Sequence, residues 1–191
     1  MTLKNTALFI SVILLAANFL FPQDHQFTRK IDPFPVMAYG GVEYDYPFLG
    51  GLNHPRPHFL DIDTDGDADL FLQESYNRIM YFENTGTSSQ YEFTWRTEEY
   101  RDLSIGNWFK FVDIDGDGDY DLLSEQPSNR IKIHRNTGSA ESPSFDIAVD
   151  TLRDAAGDEI FPGSGTIPTL ADIDCDNDPD LFYGNQDGTI I

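Results

Sequence analysis

Aspartate recurs at every second position in three stretches of this 191-residue chain. We call each stretch a ladder, and each one places five carboxylates within nine residues. Carboxylates this close repel one another unless a cation lies among them, and Ca²⁺ takes six to eight oxygen ligands from carboxylates and carbonyls. The ladders therefore predict three calcium sites, one for each ladder. The candidate ligands are Asp61, Asp63, Asp65, Asp67 and Asp69, then Asp113, Asp115, Asp117, Asp119 and Asp121, and finally Asp172, Asp174, Asp176, Asp178 and Asp180.

The sixth residue of each ladder must let the chain turn back around the ion. Gly66 and Gly118 hold this position in the first two ladders, and Asn177 holds it in the third. Glycine adopts a left-handed backbone at no steric cost, and asparagine tolerates it better than most other residues. The three ladders are therefore predicted to form loops of one kind.

The ladders do not fit the EF-hand pattern. An EF-hand loop ends in a bidentate Glu at its twelfth position, but Leu72, Ser124 and Tyr183 stand there. Short apolar runs follow each ladder and soon reach a turn, which indicates strands rather than helices. A solvated acidic loop is the alternative interpretation of a single Asp-rich run. The threefold repetition of the spacing favours metal binding.

The similarity between the three copies extends beyond the ladders. An Ile follows the first Asp by 18 residues in every copy, at Ile79, Ile131 and Ile190. An Asn-Thr-Gly sequence follows by 23 residues in two copies, at 84–86 and 136–138. Self-similarity over a period of this length indicates a repeat architecture with one supersecondary unit per copy.

Each copy is predicted to form four short strands. In the first copy these are residues 57–61, 69–74, 78–83 and 91–96, with turns between them. Four antiparallel strands per repeat make one blade of a β-propeller. The predicted fold class is therefore all-β, a β-propeller of four-stranded blades. A two-sheet sandwich built from the same strands is the structural alternative.

The sequence at residues 59–71, together with the later Ile and the Asn-Thr-Gly, resembles the FG-GAP/VCBS repeat family. This family includes the calcium-binding blades of integrin alpha subunits and many secreted bacterial propellers. The bacterial type fits better, because the Phe-Gly and Gly-Ala-Pro of the family name are absent. The resemblance covers residues 50–191. It implies that the first, third, fifth and ninth ladder positions bind calcium through side chains, and the seventh through its carbonyl.

The N-terminus predicts export. An apolar run at residues 7–21 follows Lys4, as is typical of a secretory signal peptide, so residues 1–22 are predicted to be one. An uncleaved anchor or a buried strand is the alternative, and no membrane span is expected in the mature chain. Export suits calcium modules, which bind weakly where calcium is abundant. The single Cys175 excludes an internal disulfide framework.

The predicted domain organisation follows the repeats. After the signal peptide, residues 23–49 form an N-terminal segment that includes a possible ring-closing strand. Residues 50–191 form a partial propeller with repeats at about 50–104, 105–163 and 164–191. The third copy reaches its Ile but not its Asn-Thr-Gly. We therefore expect the chain to be the N-terminal part of a larger propeller, with about two and a half repeats.

The net charge of −21 argues against binding to nucleic acid, because an acidic surface repels phosphate. No catalytic elbow is present and the four His show no metal spacing, so we expect no enzyme activity from these residues. Four aromatic residues offer either sugar stacking or filling between blades, namely Tyr76, Trp95, Tyr100 and Trp108.

The predicted function is a secreted or cell-surface calcium-binding scaffold for adhesion or ligand binding, with a protein or glycan partner. The alternative is the propeller part of a secreted polysaccharide-active enzyme or a carbohydrate-binding protein.

Overall fold

The computed structural model describes residues 30–74, 77–176, 179–185 and 187–191. The predicted signal peptide lies outside these residues, as do the first residues of the predicted ring-closing segment. The predicted domain boundaries therefore remain predictions.

The chain divides into two compact units, Met1–Gly51 and Leu52–Ile191. In the described part of the first unit, Met37 and Glu43 form an isolated β-bridge. The rings of Phe34 and Phe48 meet edge to face, with 5.0 Å between their centroids.

The first copy folds into a four-stranded antiparallel sheet in which neighbouring strands pair in sequence order. The strands are β1 Arg56–Leu60, β2 Asp69–Gln73, β3 Met80–Asn84 and β4 Phe93–Thr97. All four lie within two residues of the predicted limits. The first ladder begins directly after β1, and its last Asp opens β2, so the ladder is the loop that joins the first two strands.

The second copy repeats this sheet. Its strands are β5 Phe109–Val112, β6 Asp121–Gln126, β7 Arg130–Asn136 and β8 Phe145–Val149, again paired in sequence order. The predicted turn at residues 127–129 joins β6 to β7, with Ser128 and Asn129 at φ 73° and 61°. Two successive left-handed residues match the twist of antiparallel strands in a tight hairpin.

The third copy has a two-stranded sheet, β9 Thr169–Ala171 and β10 Asp180–Phe182, and a bridge between Gly184 and Ile190. The described residues contain one short 3₁₀ helix, Tyr100–Asp102, and no helix with the length and apolar character needed to cross a membrane. The all-β prediction is confirmed, with antiparallel four-stranded sheets. The arrangement of these sheets in a propeller remains a prediction.

Aromatic rings fill the space between the first two sheets. Phe71 on β2 is fully buried, and its ring centroid lies 4.8 Å from that of Phe111 on β5. Tyr100 packs against Phe71 at 5.0 Å and against Phe145 on β8 at 6.4 Å. Large aromatic side chains contribute much of the apolar area that such a layer removes from water.

This packing excludes sugar stacking for two of the four aromatic residues that the sequence analysis considered. Tyr100 and Trp108 are both 5% exposed, so they are core residues rather than open stacking platforms. Trp95 on β4 is half-buried, and Tyr76 lies outside the described residues.

Aliphatic side chains form the contact between the second sheet and the third copy. Leu123, Ile131 and Ile133 are buried, and Leu170 on β9 and Leu181 on β10 pack against them. A cleft of about 380 Å³ lies within this contact. The two contacts between copies therefore have the same position but a different composition: the first contains six aromatic side chains, and the second contains one, Trp108.

Candidate metal centres

The first three carboxylates of every ladder converge. One oxygen from the first, third and fifth Asp lies within 4.8 Å of the other two in each copy. Oxygens bound to one Ca²⁺ at 2.3–2.6 Å lie at most about 5 Å apart, so this spacing suits a single ion. The groups are Asp61, Asp63 and Asp65, then Asp113, Asp115 and Asp117, and finally Asp172, Asp174 and Asp176.

The first Asp of each ladder organises the loop. Oδ1 of Asp61 accepts a hydrogen bond from the N–H of Asp65 at 3.1 Å, and Oδ2 accepts one from Gly66 at 3.0 Å. Asp113 and Asp172 each accept bonds from two backbone N–H groups of their own loops. These bonds hold the loop closed around the three converging carboxylates.

The predicted turn at the sixth ladder position is present. Gly66 and Gly118 have φ of 96° and 92°, in the left-handed region that favours glycine. Asn177 lies outside the described residues.

A second left-handed residue stands at the fourth ladder position, where the sequence analysis did not expect one. Thr64, Gly116 and Cys175 have φ of 61°, 72° and 63°. Gly116 was the available signal, but Thr and Cys in the other two copies concealed it. A side chain with a Cβ in this region is strained, and a β-branched one more so. The tight loop therefore holds Thr64 against its preference.

The ninth Asp bonds to the sheet in the first two copies and to its own loop in the second and third. Asp69 is buried, its Oδ1 accepts the N–H of Asn84 at 2.8 Å, and its Oδ2 accepts the hydroxyl of Tyr81 at 3.1 Å. Asp121 is fully buried and accepts the N–H of Asn136 at 2.7 Å. In the third copy Asp180 accepts the N–H of Ile173 from its own loop.

The Asn of each Asn-Thr-Gly holds the connection between the third and fourth strands. Oδ1 of Asn84 accepts the N–H of Gly86 at 3.1 Å and that of Glu92 at 3.0 Å. Oδ1 of Asn136 makes the equivalent pair of bonds in the second copy. The Asn-Thr-Gly spacing was visible in the sequence, but its bond to the ninth Asp was not.

The seventh Asp of the first two ladders has one buried carboxylate oxygen. One carboxylate oxygen of Asp67, and the corresponding one of Asp119, is buried, and the side-chain amides of Asn84 and Asn136 act on these two carboxylates to lower their pKa. Burial raises the pKa of Asp67, and the carboxylates of Asp65 and Asp61 raise it further. Asp178, the seventh Asp of the third ladder, lies outside the described residues.

Burial and repulsion also raise the pKa of two other carboxylates of the first ladder, Asp63 and Asp69. Burial raises the pKa of Asp63, and the neighbouring charges of Asp65 and Asp61 add to the shift. Burial also raises the pKa of Asp69 to about 6, although the N–H of Asn84 and the hydroxyl of Tyr81 act in the opposite direction. Burial is the largest cause of each shift, and the neighbouring carboxylates add to it.

The residues present fit a hard divalent cation. The donor set is entirely oxygen, and the converging atoms have the separation of ligands on one ion. Carboxylate and carbonyl oxygens at flexible geometry are the ligands that Ca²⁺ prefers. Zinc favours nitrogen and sulfur ligands, which the first two ladders lack.

Two of the three carboxylate groups fall within one known family pattern. Residues 61–124 match the family model of the FG-GAP-like repeat. The match confirms the resemblance inferred from the ladder and is consistent with an FG-GAP/VCBS-like repeat family. Comparisons with curated proteins and with solved structures return no match.

The FG-GAP-like segment begins at the first Asp of the first ladder and ends three residues after the second. It therefore contains two of the three carboxylate groups. It also contains Asn84, which fixes the first ladder to its sheet, whereas Asn136 and the third ladder lie beyond it.

A cleft with basic and aromatic walls lies where the first two sheets meet. It has a volume of about 320 Å³, and none of the residues that line it is acidic. Arg56 and His58 on β1 and Lys110 on β5 line it beside Trp108 and Phe109. Burial lowers the pKa of His58 to about 4, and Lys110 contributes to that shift, so this imidazole is neutral near pH 7.

Proposed function

We propose that this chain is a calcium-binding β-propeller module, secreted or at the cell surface, that serves as a scaffold for adhesion or ligand binding. The observation that carries this proposal is the convergence of three carboxylates at the same ladder positions in all three copies. Two of these groups lie in the segment that matches the FG-GAP-like repeat. The four-stranded sheets would be the blades, and the aromatic layer would be a contact between blades.

Each ion would be held by the side chains of the first, third, fifth and ninth ladder residues, with the seventh residue contributing its carbonyl. When bound, calcium supplies the positive charge that neutralises the converging carboxylates. The first Asp keeps the loop closed through its bonds to backbone N–H groups. The ninth Asp anchors the loop to the third strand of the sheet, so a neutralised loop would hold two elements in register.

Titration calorimetry on the whole chain tests the metal proposal. We expect three calcium ions per chain and weaker binding of magnesium, which demands near-ideal octahedral geometry. A ligand that binds only the folded state adds about 2.7 kcal/mol per site at a hundredfold excess over its Kd. Melting should therefore occur at a higher temperature in calcium than in chelator. Asp174→Ala should remove one ion, whereas Asp45→Ala, outside the ladders, should remove none. Absence of calcium binding would contradict the proposal.

The basic cleft is the ligand site that we propose for this scaffold. The chain carries 33 acidic and 12 basic residues, yet Arg56 and Lys110 line a cleft without a carboxylate. Two cations beside the apolar side chains of Pro57 and Ile167 suit a small ligand that combines negative charge with an apolar face, as an acidic sugar does. This cleft favours carbohydrate binding as the second candidate function. We assign recognition without catalysis, since a neutral His58 beside two cations supplies no acid–base pair.

Oligogalacturonate and neutral galactose oligomers provide a direct comparison for the cleft. We expect calorimetry to detect the acidic oligomer only, and Lys110→Gln to weaken its binding about tenfold. Arg153→Gln, which removes a positive charge distant in sequence, is the matched control. Equal binding of both oligomers, or equal loss in both variants, would exclude a charge-selective site at this position.

A further inference from the structure

A guanidinium group enters the second ladder. Arg135 on β7 places its Nη1 in contact with Asp115, the third ladder residue, and 3.1 Å from Oδ2 of Asp121, the ninth. Asp121 is fully buried, and the Arg135 side chain is 29% exposed. The buried Nη1 makes no hydrogen bond of good geometry to either carboxylate, so the interaction is an attraction between opposite charges at close range.

The first copy carries the opposite charge at the equivalent position. Glu83 and Arg135 both stand 22 residues after the first Asp of their ladders. Glu83 pairs with Arg96 on β4 and leaves the first ladder without a cation of its own. None of the ion pairs recorded among the described residues involves Asp61, Asp63 or Asp65.

We propose that Arg135 is a built-in counter-ion that holds the second ladder together without metal and lowers its affinity for calcium. The inference rests on the proposed calcium binding and makes the two FG-GAP-like loops unequal. The first ladder needs a metal ion to neutralise its carboxylates, whereas the second has one positive charge in place before any ion arrives. A cation already paired with Asp115 competes with calcium for that carboxylate and repels the ion.

The test isolates the second site by removing the other two. Asp63→Ala and Asp174→Ala together leave only the second ladder to bind calcium. The calcium affinity of this double variant is then measured with and without the further substitution Arg135→Gln. We expect Arg135→Gln to tighten calcium binding on the order of tenfold. Arg135→Lys keeps the charge but loses the planar fork, and it should fall between the two. Arg153→Gln, in the same copy, should leave the affinity unchanged.

Melting in chelator reports on the same residue without any metal. Arg135→Gln in the otherwise native chain should melt at a lower temperature than the native chain in chelator, and the gap should narrow in calcium. Unchanged calcium affinity and unchanged melting in chelator would together overturn the inference. If the native chain binds no calcium at all, the proposed function fails and so does the competition. A lower melting temperature in chelator would then still support the counter-ion.

Discussion

Oδ1 of Asp69 accepts a hydrogen bond from the backbone N–H of Asn84, with 2.8 Å between the two atoms. Asp121 and Asn136 repeat this bond at 2.7 Å. The last carboxylate of the ladder is therefore tied to the residue that closes the third strand. We therefore expect a substitution in the ladder loop to affect the hairpin between β3 and β4, and the reverse.

Asn84→Ala is expected to lower the free energy of unfolding by about 2 kcal/mol. The side-chain oxygen accepts bonds from Gly86 and Glu92, and each net bond contributes about 1 kcal/mol. Urea unfolding followed by circular dichroism measures the change. Gln90→Ala, at an exposed position in the same connection between β3 and β4, should cost less than about 0.5 kcal/mol. Similar losses of free energy in the two variants would show that the hydrogen bonds of Asn84 do not contribute measurably to stability.

Asp63→Asn should act in opposite directions with and without calcium. In chelator the substitution relieves repulsion from Asp61 and Asp65, so the melting temperature should rise. In calcium the variant loses one ligand and should melt below the native chain.

Asp115→Asn provides the contrast in the second ladder. Because Asp115 is in contact with Arg135, its neutralisation removes a favourable pair and should not raise the melting temperature in chelator. A rise of equal size in both variants would contradict the difference between the two ladders.

Gly116→Thr tests the backbone strain at the fourth ladder position. A β-branched residue at φ 72° is expected to cost about 1–2 kcal/mol of stability. Gly51→Thr is the control, because Gly51 has no positive φ and a Cβ there meets nothing within 4 Å. Chemical unfolding of both variants measures the difference, and equal costs would rule out strain as the cause.

His134 predicts a loss of stability in acid. It is buried, and burial lowers its pKa to about 4, with Lys132 adding to the shift while Asp150 and the backbone near Ser104 oppose it. The unfolded chain binds the proton at about pH 6.5, so stability contributed by the neutral ring is present above that pH. It is lost as the pH falls from about 6.5 towards 4.

Urea unfolding at pH 7.5 and pH 5 measures this contribution. The native chain should lose about 2 kcal/mol more between these pH values than His134→Gln does. His54→Gln, at an exposed position, should match the native chain. If His134→Gln loses as much free energy of unfolding between pH 7.5 and pH 5 as the native chain does, the loss arises from other groups.

Repetition made the strands and loops predictable. Three aligned copies fixed the ladder positions, and the alternation of apolar and polar residues located the first four strands within two residues. The unexpected features depend on contacts that spacing does not reveal. The left-handed Thr64 follows from closure of its loop, and the pairing of Arg135 with Asp115 follows from the position of β7 beside β6. Ile79 and Ile190 share their spacing from the first Asp, yet the first is buried and the second is 78% exposed.

Every pairing in the two four-stranded sheets joins strands adjacent in sequence. The bonds that fasten each ladder also begin and end within one copy. The strands and loop of a copy are therefore determined mainly by its own sequence, because its internal contacts lie within the copy. Gene duplication can therefore add or remove copies without redesign of the strands, and only the layer of side chains between neighbours must adapt. The layers between neighbouring copies have adapted in this way: the layer between the first two copies is rich in aromatic rings, and the next layer is mainly aliphatic.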